Sequence, residues 1–415
     1  MAKILITSGL ELSSNPRVVK EADVLTAAGH EVTVLTSLVD PTLAEREAGF
    51  DNRGWKVVRL LDLADSRLSP RLEWNWRRGV HKMARVLASR SGLQTAHSLG
   101  YFPWKIVRWC RAFPADLFIC HVNQATWAGA RLLREGYRVA FDFEDWYSRD
   151  LPVEDRRWQS LKLLEAAELE ALKNGAFCVT TSQVLSAALA KHAGISSRPA
   201  VVYNSFPWAE RSFPDTGVPD RHDRSIPSLY WFSQVTSGGR GLEELFKALH
   251  FVKFPLEIHL RGIVPAGFES AIRALAPDHC QQGIFFHPQV PHHEMLARIA
   301  EHDIGFAGEI PYCESRNLTI TNKILHYLLG GIAVVASDTE GQQEVAAGNP
   351  EGILLYSSRD PASLAGALNT LLADGERLRA ARAANLELAR TRFCWEISAK
   401  VLRDEVAKAI AAPAL

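Results

Sequence analysis

The chain has 415 residues, of which 47% are hydrophobic and 23% are charged, and its 47 basic residues balance its 47 acidic ones. A chain of this length exceeds one ordinary hydrophobic core, so two domains are expected. The balanced charge argues against a general nucleic-acid-binding protein, and six cysteines without CxxC spacing argue against a zinc site or a disulfide framework.

The first half of the chain alternates short apolar strands with amphipathic helices. KILIT at 3–7 predicts a buried parallel strand, and PRVVKEADVLTAAG at 16–29 predicts a helix that ends at a glycine. HEVTVLT at 30–36 completes a βαβ unit, which is typical of an open, twisted parallel sheet. Further strands are predicted at 116–122, 137–145, 177–182 and 199–206, with helices at 125–136, 155–175 and 184–194.

The alternation restarts after residues 207–227, a segment rich in Pro, Asp and Arg that predicts an interdomain linker. Strands are predicted at 228–234, 256–262, 284–290, 304–309 and 333–338, with helices at 241–252, 266–275, 292–302, 321–331, 361–374, 376–391 and 393–412. We therefore expect an α/β protein with two Rossmann-like parallel-sheet domains, 1–206 and 228–392, followed by a C-terminal helix in 393–415. Such sheets bind ligands beyond the carboxyl ends of their strands, so the two domains are expected to face a cleft.

Three segments of the second half carry a recognisable pattern: SQVTSGGRGLEELFKAL (233–249), HPQVPHHEMLARIAEHDIGFA (287–307) and NLTITNKILHYLLGGIAVVASDTEGQQEV (317–345). Together with YNSF (203–206) and FCWE (393–396), these segments resemble the retaining GT-B-fold glycosyltransferases of family 4. The best match is the subgroup that has Asn-Lys-x-x-Glu-Tyr before a turn of small residues. The resemblance is weaker over the first 200 residues. It implies a nucleotide-sugar donor in the C-terminal domain, an acceptor in the N-terminal domain, retention of anomeric configuration, and no required metal or other cofactor. It also implies that the last helix crosses back to the first domain.

Stabilising a departing diphosphate without a metal requires fixed cations and backbone N–H groups, ideally at helix N-termini. Gly238 and Gly239 offer a flexible backbone, and Arg240 matches the basic residue with which the family binds phosphate. The alternative is a plain strand-to-helix turn with a solvated arginine.

TNKILHYLLGG at 321–331 predicts a second helix start of this kind. Thr319 or Thr321 can cap the helix. The N–H groups from Asn322 onward are then predicted to receive phosphate or sugar oxygens, and Lys323 adds a positive charge. The alternative is a capped core helix whose lysine reaches to solvent.

The family pattern has a Glu-x7-Glu pair across this stretch, which here falls on Leu318 and His326. His326 can hydrogen-bond a ribose hydroxyl through one ring nitrogen, although a plain core histidine is the alternative. Glu314 is a candidate for the missing carboxylate. Glu344 matches a family glutamate near the start of the next helix, where the macrodipole alone also favours an acid.

In the N-terminal half, His121 ends the strand DLFICHV and resembles a histidine that many family members place near the donor sugar. Glu144 and Asp145 follow the next strand and are predicted to bind the acceptor, with strand-end caps as the alternative. Asn15 and Arg17 are further candidates for substrate binding. Their loop lacks GxGxxG, which argues against a dinucleotide-dependent dehydrogenase or epimerase.

The segment 67–111 contains ten Lys or Arg and one acid, Glu73, interspersed with four tryptophans. Tryptophan favours the lipid headgroup region, and each basic residue near anionic lipid contributes about 1 kcal/mol. One interpretation is therefore a peripheral membrane contact, and the other is a helical subdomain with solvated arginines and core tryptophans. Nucleic acid is a weaker partner because the rest of the chain has no supporting basic patch.

These features predict a hexosyltransferase-type glycosyltransferase that moves a sugar from a nucleotide-diphosphate donor to a glycan or lipid-linked acceptor in cell-surface polysaccharide assembly. His121, Arg240 and Lys323 are its candidate catalytic residues. The chain opens with MAKILITSG, a strand and turn rather than a signal peptide, so a cytoplasmic location or the inner face of a membrane is expected. The missing Glu pair leaves a non-catalytic sugar-nucleotide-binding partner protein as the alternative.

Overall fold

The computed structural model describes residues 1–9, 11–212, 220 and 225–413 and divides the chain into two compact units. The first unit comprises Met1–Val202 and Ala399–Leu415, and the second comprises Tyr203–Ser398. Much of the predicted linker, residues 213–219 and 221–224, lies outside the described residues. The domain boundaries drawn from the sequence therefore stay predictions.

The first unit is built on a seven-stranded parallel sheet with the order β3-β2-β1-β4-β5-β6-β7. Its strands are β1 (Lys3–Thr7), β2 (Glu31–Leu38), β3 (Lys56–Asp62), β4 (Leu117–His121), β5 (Val139–Phe143), β6 (Cys178–Thr180) and β7 (Ala200–Val201). Its helices up to residue 202 are α1 (Pro16–Ala27), α2 (Ala44–Ala48), α3 (Leu68–Ser91), α4 (Pro103–Ala112), α5 (Val122–Arg134), α6 (Leu161–Asn174) and α7 (Gln183–Ala193). The side chains of β1 and β4 are almost all fully buried, as expected for the centre of a parallel sheet covered on both faces.

The second unit is built on a six-stranded parallel sheet with the order β10-β9-β8-β11-β12-β13. Its strands are β8 (Ser228–Val235), β9 (Glu257–Ile263), β10 (Ile284–His287), β11 (Ile304–Ala307), β12 (Ala333–Ser337) and β13 (Ile353–Tyr356). The helices that follow in chain order are α8 (Leu242–Ala248), α9 (Phe268–Arg273), α10 (His292–Ala300), α11 (Glu314–Leu318), α12 (Asn322–Gly330), α13 (Glu340–Ala346), α14 (Pro361–Leu372), α15 (Gly375–Leu388) and α16 (Trp395–Ala411).

Both sheets reverse their strand order at one point. In the first unit β1 pairs with both β2 and β4, and in the second unit β8 pairs with both β9 and β11. Ligands of open parallel sheets bind outside the carboxyl ends of the strands at such a reversal. The predicted fold class, two Rossmann-like parallel-sheet domains, is confirmed.

Several predicted elements are shorter in the structure, and for two of them the hydrogen bonds give a physical reason. The strand expected at 199–206 is reduced to Ala200–Val201, because the backbone carbonyl of Val202 accepts a hydrogen bond from Arg17 and the chain then enters the second unit. The helix expected at 155–175 begins at Leu161, because the backbone N–H of Ser160 donates to the Ser98 hydroxyl. Strands β3 and β13 were missed in the sequence.

Candidate functional site

The loops that follow β8 and β11 meet at the strand-order reversal of the second unit. Gly241 precedes α8 with φ +77°, and a Cβ there would lie 3.1 Å from the Gly308 Cα and 3.1 Å from the Phe306 ring. A Cβ on Gly308 would in turn meet the Arg240 backbone oxygen at 3.0 Å. Glycine at both positions therefore lets the two loops approach, and this places Arg240 beside the end of β11.

Lys323 occupies the first turn of α12 and is 6% exposed. Its Nζ lies 3.6 Å from a carboxylate oxygen of Glu309 and 5.5 Å from the centroid of the Trp231 ring. Burial lowers the pKa of Lys323 to about 8, although Glu309 opposes this shift, and the nearby positive charges of Arg240 and Arg316 lower it further. A further negative charge placed here would therefore be stabilised.

The predicted capping of α12 by a threonine side chain is wrong. Thr321 occupies the N-cap position but, within the described part of the chain, its side chain makes no capping hydrogen bond. Its hydroxyl donates to Glu309 at 3.2 Å, whereas the Thr319 hydroxyl donates to the Ser315 carbonyl at 2.5 Å. The first N–H groups of α12, next to the exposed Asn322, therefore receive no capping hydrogen bond from the Thr321 side chain.

Glu309 is the site residue that the sequence analysis missed. Its backbone N–H donates to the Ser337 hydroxyl at 3.0 Å, and its carbonyl accepts from the Ser358 hydroxyl at 3.2 Å. The ends of β11, β12 and β13 thus fix its position. Glu314, which the sequence analysis expected to supply a carboxylate, is exposed at the start of α11, so Glu309 and not Glu314 stands beside Lys323.

Arg240 itself is exposed, with its guanidinium 3.4 Å from the Ser233 hydroxyl. The preceding Gly238 and Gly239 are also exposed, and Gly239 adopts φ +82°. The predicted glycine-arginine turn therefore presents its backbone and one cation to the same edge of the sheet as Lys323. Arg316 adds a third positive charge that the sequence analysis did not single out.

The ribose-binding role expected for His326 stays a prediction, and the position of the ring favours the alternative of a core histidine. The ring is 2% exposed and stacks on Phe206 with centroids 3.7 Å apart. Its Nε2 lies 3.7 Å from the Glu210 carboxylate. The His326 ring therefore packs in the core, and Leu318 is likewise buried. Glu344 accepts a hydrogen bond from the Tyr203 hydroxyl at 2.8 Å, which supports a structural role for that carboxylate.

In the first unit, the fully buried His121 lies in a cluster of charged side chains. Its Nε2 is 3.0 Å from the Glu21 carboxylate, and its Nδ1 is 3.1 Å from the Glu144 carboxylate. The Arg17 Nε donates to Asp142 at 2.6 Å and lies 3.4 Å from Glu21. Arg17 has no exposed surface, so the prediction that it contacts substrate directly is corrected to a positioning role.

The ionisable groups of this cluster are coupled: burial and the charge of Glu21 raise the pKa of Asp142 well above its usual value, although Arg17 opposes that shift. Burial disfavours a charged His121, but the carboxylates of Glu21 and Asp142 outweigh it and raise the pKa of His121 to about 10. Burial likewise opposes ionisation of Glu21, yet His121 and Arg17 lower its pKa to about 2. His121 is therefore an imidazolium at neutral pH with a carboxylate at each ring nitrogen. It cannot act as a general base in that form, and it positions Glu144 instead.

Glu144 is the member of the cluster that reaches the surface, with its side chain 20% exposed. Burial raises its pKa, but hydrogen bonds from His121 and Asn15 and the charge of Arg17 outweigh that effect and lower it. An ionised carboxylate held in this way can accept a hydrogen bond from a hydroxyl group. Asp145, the next residue, is also partly exposed, so the predicted acceptor carboxylates are brought to one place.

The backbone is strained immediately after His121. Val122 has φ +59°, a conformation that a β-branched residue rarely adopts, and its N–H donates to the Tyr147 hydroxyl at 3.2 Å. Such a residue costs about 1–3 kcal/mol and occurs preferentially at functional sites. The strain therefore marks the end of β4 as a second place of functional interest, beside the charged cluster.

Glu21, His121 and Asp142 bring three potential metal-ligand atoms within 4.8 Å of one another. A divalent cation does not fit this cluster, because the two ring nitrogens of His121 already lie 3.0 Å and 3.1 Å from the Glu21 and Glu144 carboxylates and the Arg17 guanidinium contacts Asp142 at 2.6 Å. We therefore assign the cluster to charge positioning and not to metal binding.

Family models match both units of the chain. Residues 17–207 match the model described as Glycosyltransferase Family 4, and residues 227–374 match the model described as Glycosyl transferases group 1. A search of curated proteins found no match.

Solved structures similar to this chain cover almost its whole length. A sucrose-phosphate synthase from Thermosynechococcus elongatus has 16% identity and a TM-score of 0.69 over 100% of both chains. Anabaena HepE in complex with UDP-glucose has 15% identity and a TM-score of 0.64, covering 98% of this chain and 100% of that one. A UDP-forming trehalose-phosphate synthase from Burkholderia xenovorans has 11% identity and a TM-score of 0.63, covering 99% of this chain and 100% of that one. These similarities establish the fold.

Proposed function

Because the chain is a glycosyltransferase of the GT-B fold, we propose that it moves a sugar from a nucleotide-diphosphate donor held by the second unit to a glycan or lipid-linked acceptor held by the first. We further propose that transfer proceeds with retention and without a metal, as the resemblance to family 4 implies. A role in cell-surface polysaccharide assembly is part of the same proposal.

The observation that carries the donor assignment is the buried Lys323 with its neighbouring cations. Its pKa of about 8 still leaves it mostly protonated at neutral pH, although it is 6% exposed. Together with Arg240 and the N–H groups at the start of α12, it can hold a diphosphate and stabilise the charge released as the glycosyl bond opens. Donors bound by similar folds include UDP-glucose, in the Anabaena protein.

Glu309 is assigned to the donor sugar. Its carboxylate already approaches Lys323 and Thr321, and a diphosphate beside it would repel it. A sugar hydroxyl, in contrast, can donate a hydrogen bond to it. We propose that Glu309 takes over the sugar contact for which the family pattern uses the glutamate replaced here by Leu318.

Glu144 is assigned to the acceptor. The Glu144 carboxylate lies just after the end of β5. It is kept ionised and held in place by the His121 imidazolium, by Asn15 and by the charge of Arg17. Since His121 holds its proton at neutral pH, the proton of the attacking hydroxyl is taken by the departing phosphate in this proposal, and Glu144 orients that hydroxyl.

The proposal is tested by measuring release of nucleoside diphosphate from a panel of UDP and GDP sugars, with and without glycan acceptors. We expect turnover of at least one donor and a loss of about tenfold or more in kcat/KM for Arg240→Ala, the scale of one charge-assisted hydrogen bond. Arg379→Ala, which removes an exposed arginine of α15 in the same unit, is the matched control and should retain full turnover.

Full turnover in Arg240→Ala would refute the donor assignment. Nucleotide binding without turnover of any sugar in the panel would instead favour the non-catalytic sugar-nucleotide-binding protein, the alternative that the missing Glu pair left open. The matches to glycosyltransferase family models favour the enzyme.

A further inference from the structure

Helix α3, Leu68–Ser91, is attached to the first unit by one narrow face. Ala84 and Ala88 are buried on that face. Arg77 donates to a backbone carbonyl of the following segment at 3.0 Å, the His81 Nδ1 lies 2.6 Å from another, and Trp74 packs edge-on against a tyrosine ring. Of the four tryptophans in segment 67–111, Trp76 is 73% exposed and Trp104 is 43% exposed, whereas Trp74 and Trp109 are partly buried.

The opposite face of α3 carries large apolar side chains that are between 39% and 73% exposed. They share one stripe, because their spacing of four, four, seven and four residues keeps them within about 100° around a helix of 3.6 residues per turn. The stripe consists of Leu68, Leu72, Trp76, Met83 and Leu87. A continuous exposed stripe of this kind marks an interaction surface.

A row of cations runs along α3 beside the apolar stripe. Among the described residues, no carboxylate lies within salt-bridge distance of these cations, whereas Glu73, the acid of the segment, is taken by Arg77 and Lys105. A groove of about 600 Å³ opens along the row and is also lined by Tyr101 and Trp158. The row consists of Arg71, Arg78, Lys82 and Arg85.

We propose that α3 docks on a bilayer that contains anionic phospholipid, with the apolar stripe at the acyl boundary and the cation row on lipid phosphates. An apolar stripe flanked by cations is the arrangement with which amphipathic helices lie in a membrane interface. Trp76, near the middle of the stripe, suits the headgroup depth. Among the described residues, no helix is long and apolar enough to cross a bilayer.

The charges favour a lipid surface over a second copy of the chain. A twofold contact through this face would bring two cation rows next to each other, and the like charges would repel. Anionic headgroups neutralise the row and at the same time cover the apolar stripe. The proposal that α3 docks on a membrane depends only on the geometry of the first unit. The delivery of a lipid-linked acceptor to Glu144 depends in addition on the proposed function.

Co-sedimentation of the full chain with phosphatidylcholine vesicles, with and without about one third phosphatidylglycerol, tests the apolar stripe. We expect binding to the anionic vesicles and a loss of about tenfold in partitioning for Trp76→Glu. Val153→Glu is the matched control because Val153 is another apolar side chain of the first unit that is 73% exposed. It should bind like the wild type.

A second pair of variants tests the cation row. Lys82→Gln with Arg85→Gln should weaken partitioning into anionic vesicles about tenfold or more, since each cation contributes about 1 kcal/mol. Lys191→Gln with Arg198→Gln removes the same charges from exposed positions elsewhere in the first unit and should change little. Equal binding of both pairs would overturn the proposal, as would a wild type that ignores phosphatidylglycerol.

Two further measurements on the same preparations separate the possible outcomes. A wild type that sediments as a dimer, becomes monomeric in Trp76→Glu and leaves anionic vesicles unbound would show that a second copy covers the stripe, which also overturns the proposal. Donor hydrolysis without lipid should be unchanged in all four variants, because α3 takes no part in donor binding. Lost vesicle binding with intact hydrolysis therefore tests docking independently of the transfer reaction.

Discussion

At the scale of single residues, the central feature of the proposed donor site is Lys323, a lysine whose charge is buried. Lys323 is 6% exposed, and the one carboxylate within salt-bridge distance of it in the described part of the chain is Glu309, 3.6 Å away. Burial lowers the pKa of Lys323 from 10.5 to about 8, so the folded state disfavours the proton. This penalty is fully present below pH 8 and is relieved as the pH rises towards 10.5. The buried Lys323 therefore lowers the stability of the folded protein, and its positive charge is available to bind a phosphate.

Replacing this lysine should stabilise the protein. We expect Lys323→Met to raise the free energy of unfolding at pH 7 by about 1–3 kcal/mol, because the pKa shift of the lysine corresponds to a penalty of that order. The gain should shrink between pH 8 and pH 10.5. Urea denaturation over this range measures it, and titration with UDP and GDP should show that the variant loses affinity.

Lys247→Met is the matched control for that experiment, because Lys247 is an exposed lysine on α8 of the same unit. Its stability should stay within about 0.5 kcal/mol of the wild type at every pH. A Lys323→Met protein that is less stable than the wild type at pH 7 would contradict the account. Lys323 would then be a structural partner of Glu309 and not a binding cation.

The sequence identified candidate site residues only where a local motif by itself suggested a chemical role. Arg240 and Lys323 were singled out because each lies at the start of a predicted helix. Glu309 was missed because one acid after an apolar strand has no distinctive spacing, and its role depends on Thr321 and Lys323. The neighbours of His326 in the fold, Phe206 and Glu210, could not be predicted because they are more than a hundred residues away in the sequence.

At the scale of elements, the site depends on how closely the loops after β8 and β11 approach. Gly241 and Gly308 lie against each other, and neither leaves space for a Cβ. The loop after β8 ends in a residue at φ +77° and leads into α8, so the direction of Arg240 is fixed by backbone geometry. A side chain at either glycine would have to push one loop away from the other.

Gly241→Ala should therefore lower donor affinity as well as stability. The left-handed φ costs about 1–2 kcal/mol for alanine, and the added Cβ meets atoms at 3.1 Å, which shifts Arg240. Gly267→Ala is the control, because Gly267 also precedes a short helix, with φ +78°, but among the described residues nothing lies within 4 Å of its Cβ position. We expect the KM for the donor to rise in the first variant alone. An equal rise in both would show that the loop contact does not position Arg240.

Secondary structure was predictable where apolar runs ended at a glycine or proline. The spans of β1, β8 and α12 agree closely with their patterns. The length of strand β7 was overestimated, because the sequence pattern does not show that the Val202 carbonyl accepts a hydrogen bond from Arg17. For α3 the composition left two interpretations, and the exposed apolar stripe supports the membrane contact that we propose.

At the scale of the whole molecule, two parallel sheets carry two separate charge arrangements. The first unit holds a cluster of opposite charges around His121, and the second holds positive charges around Lys323. The alternation of strands and helices was sufficient to predict this fold, because parallel strands joined by helices have few possible arrangements. The same reason explains why a synthase with 16% identity shares it over the whole chain.

The last helix shows what the pattern alone could not establish. Residues from Ala399 onward group with the first unit, and Arg138 of that unit donates to the backbone carbonyl of Ala412 at 2.7 Å. The sequence predicted an amphipathic helix here, while its crossing back was implied by resemblance to a family. A hydrogen bond between residues 274 positions apart has no signature in the sequence.

The most direct measurement is a crystal structure of the protein with UDP or GDP bound. The account predicts that the β-phosphate lies about 3 Å from the Lys323 Nζ, beside Arg240 and the N–H groups at the start of α12. A nucleotide bound anywhere else, with Lys323 still facing only Glu309, would contradict it.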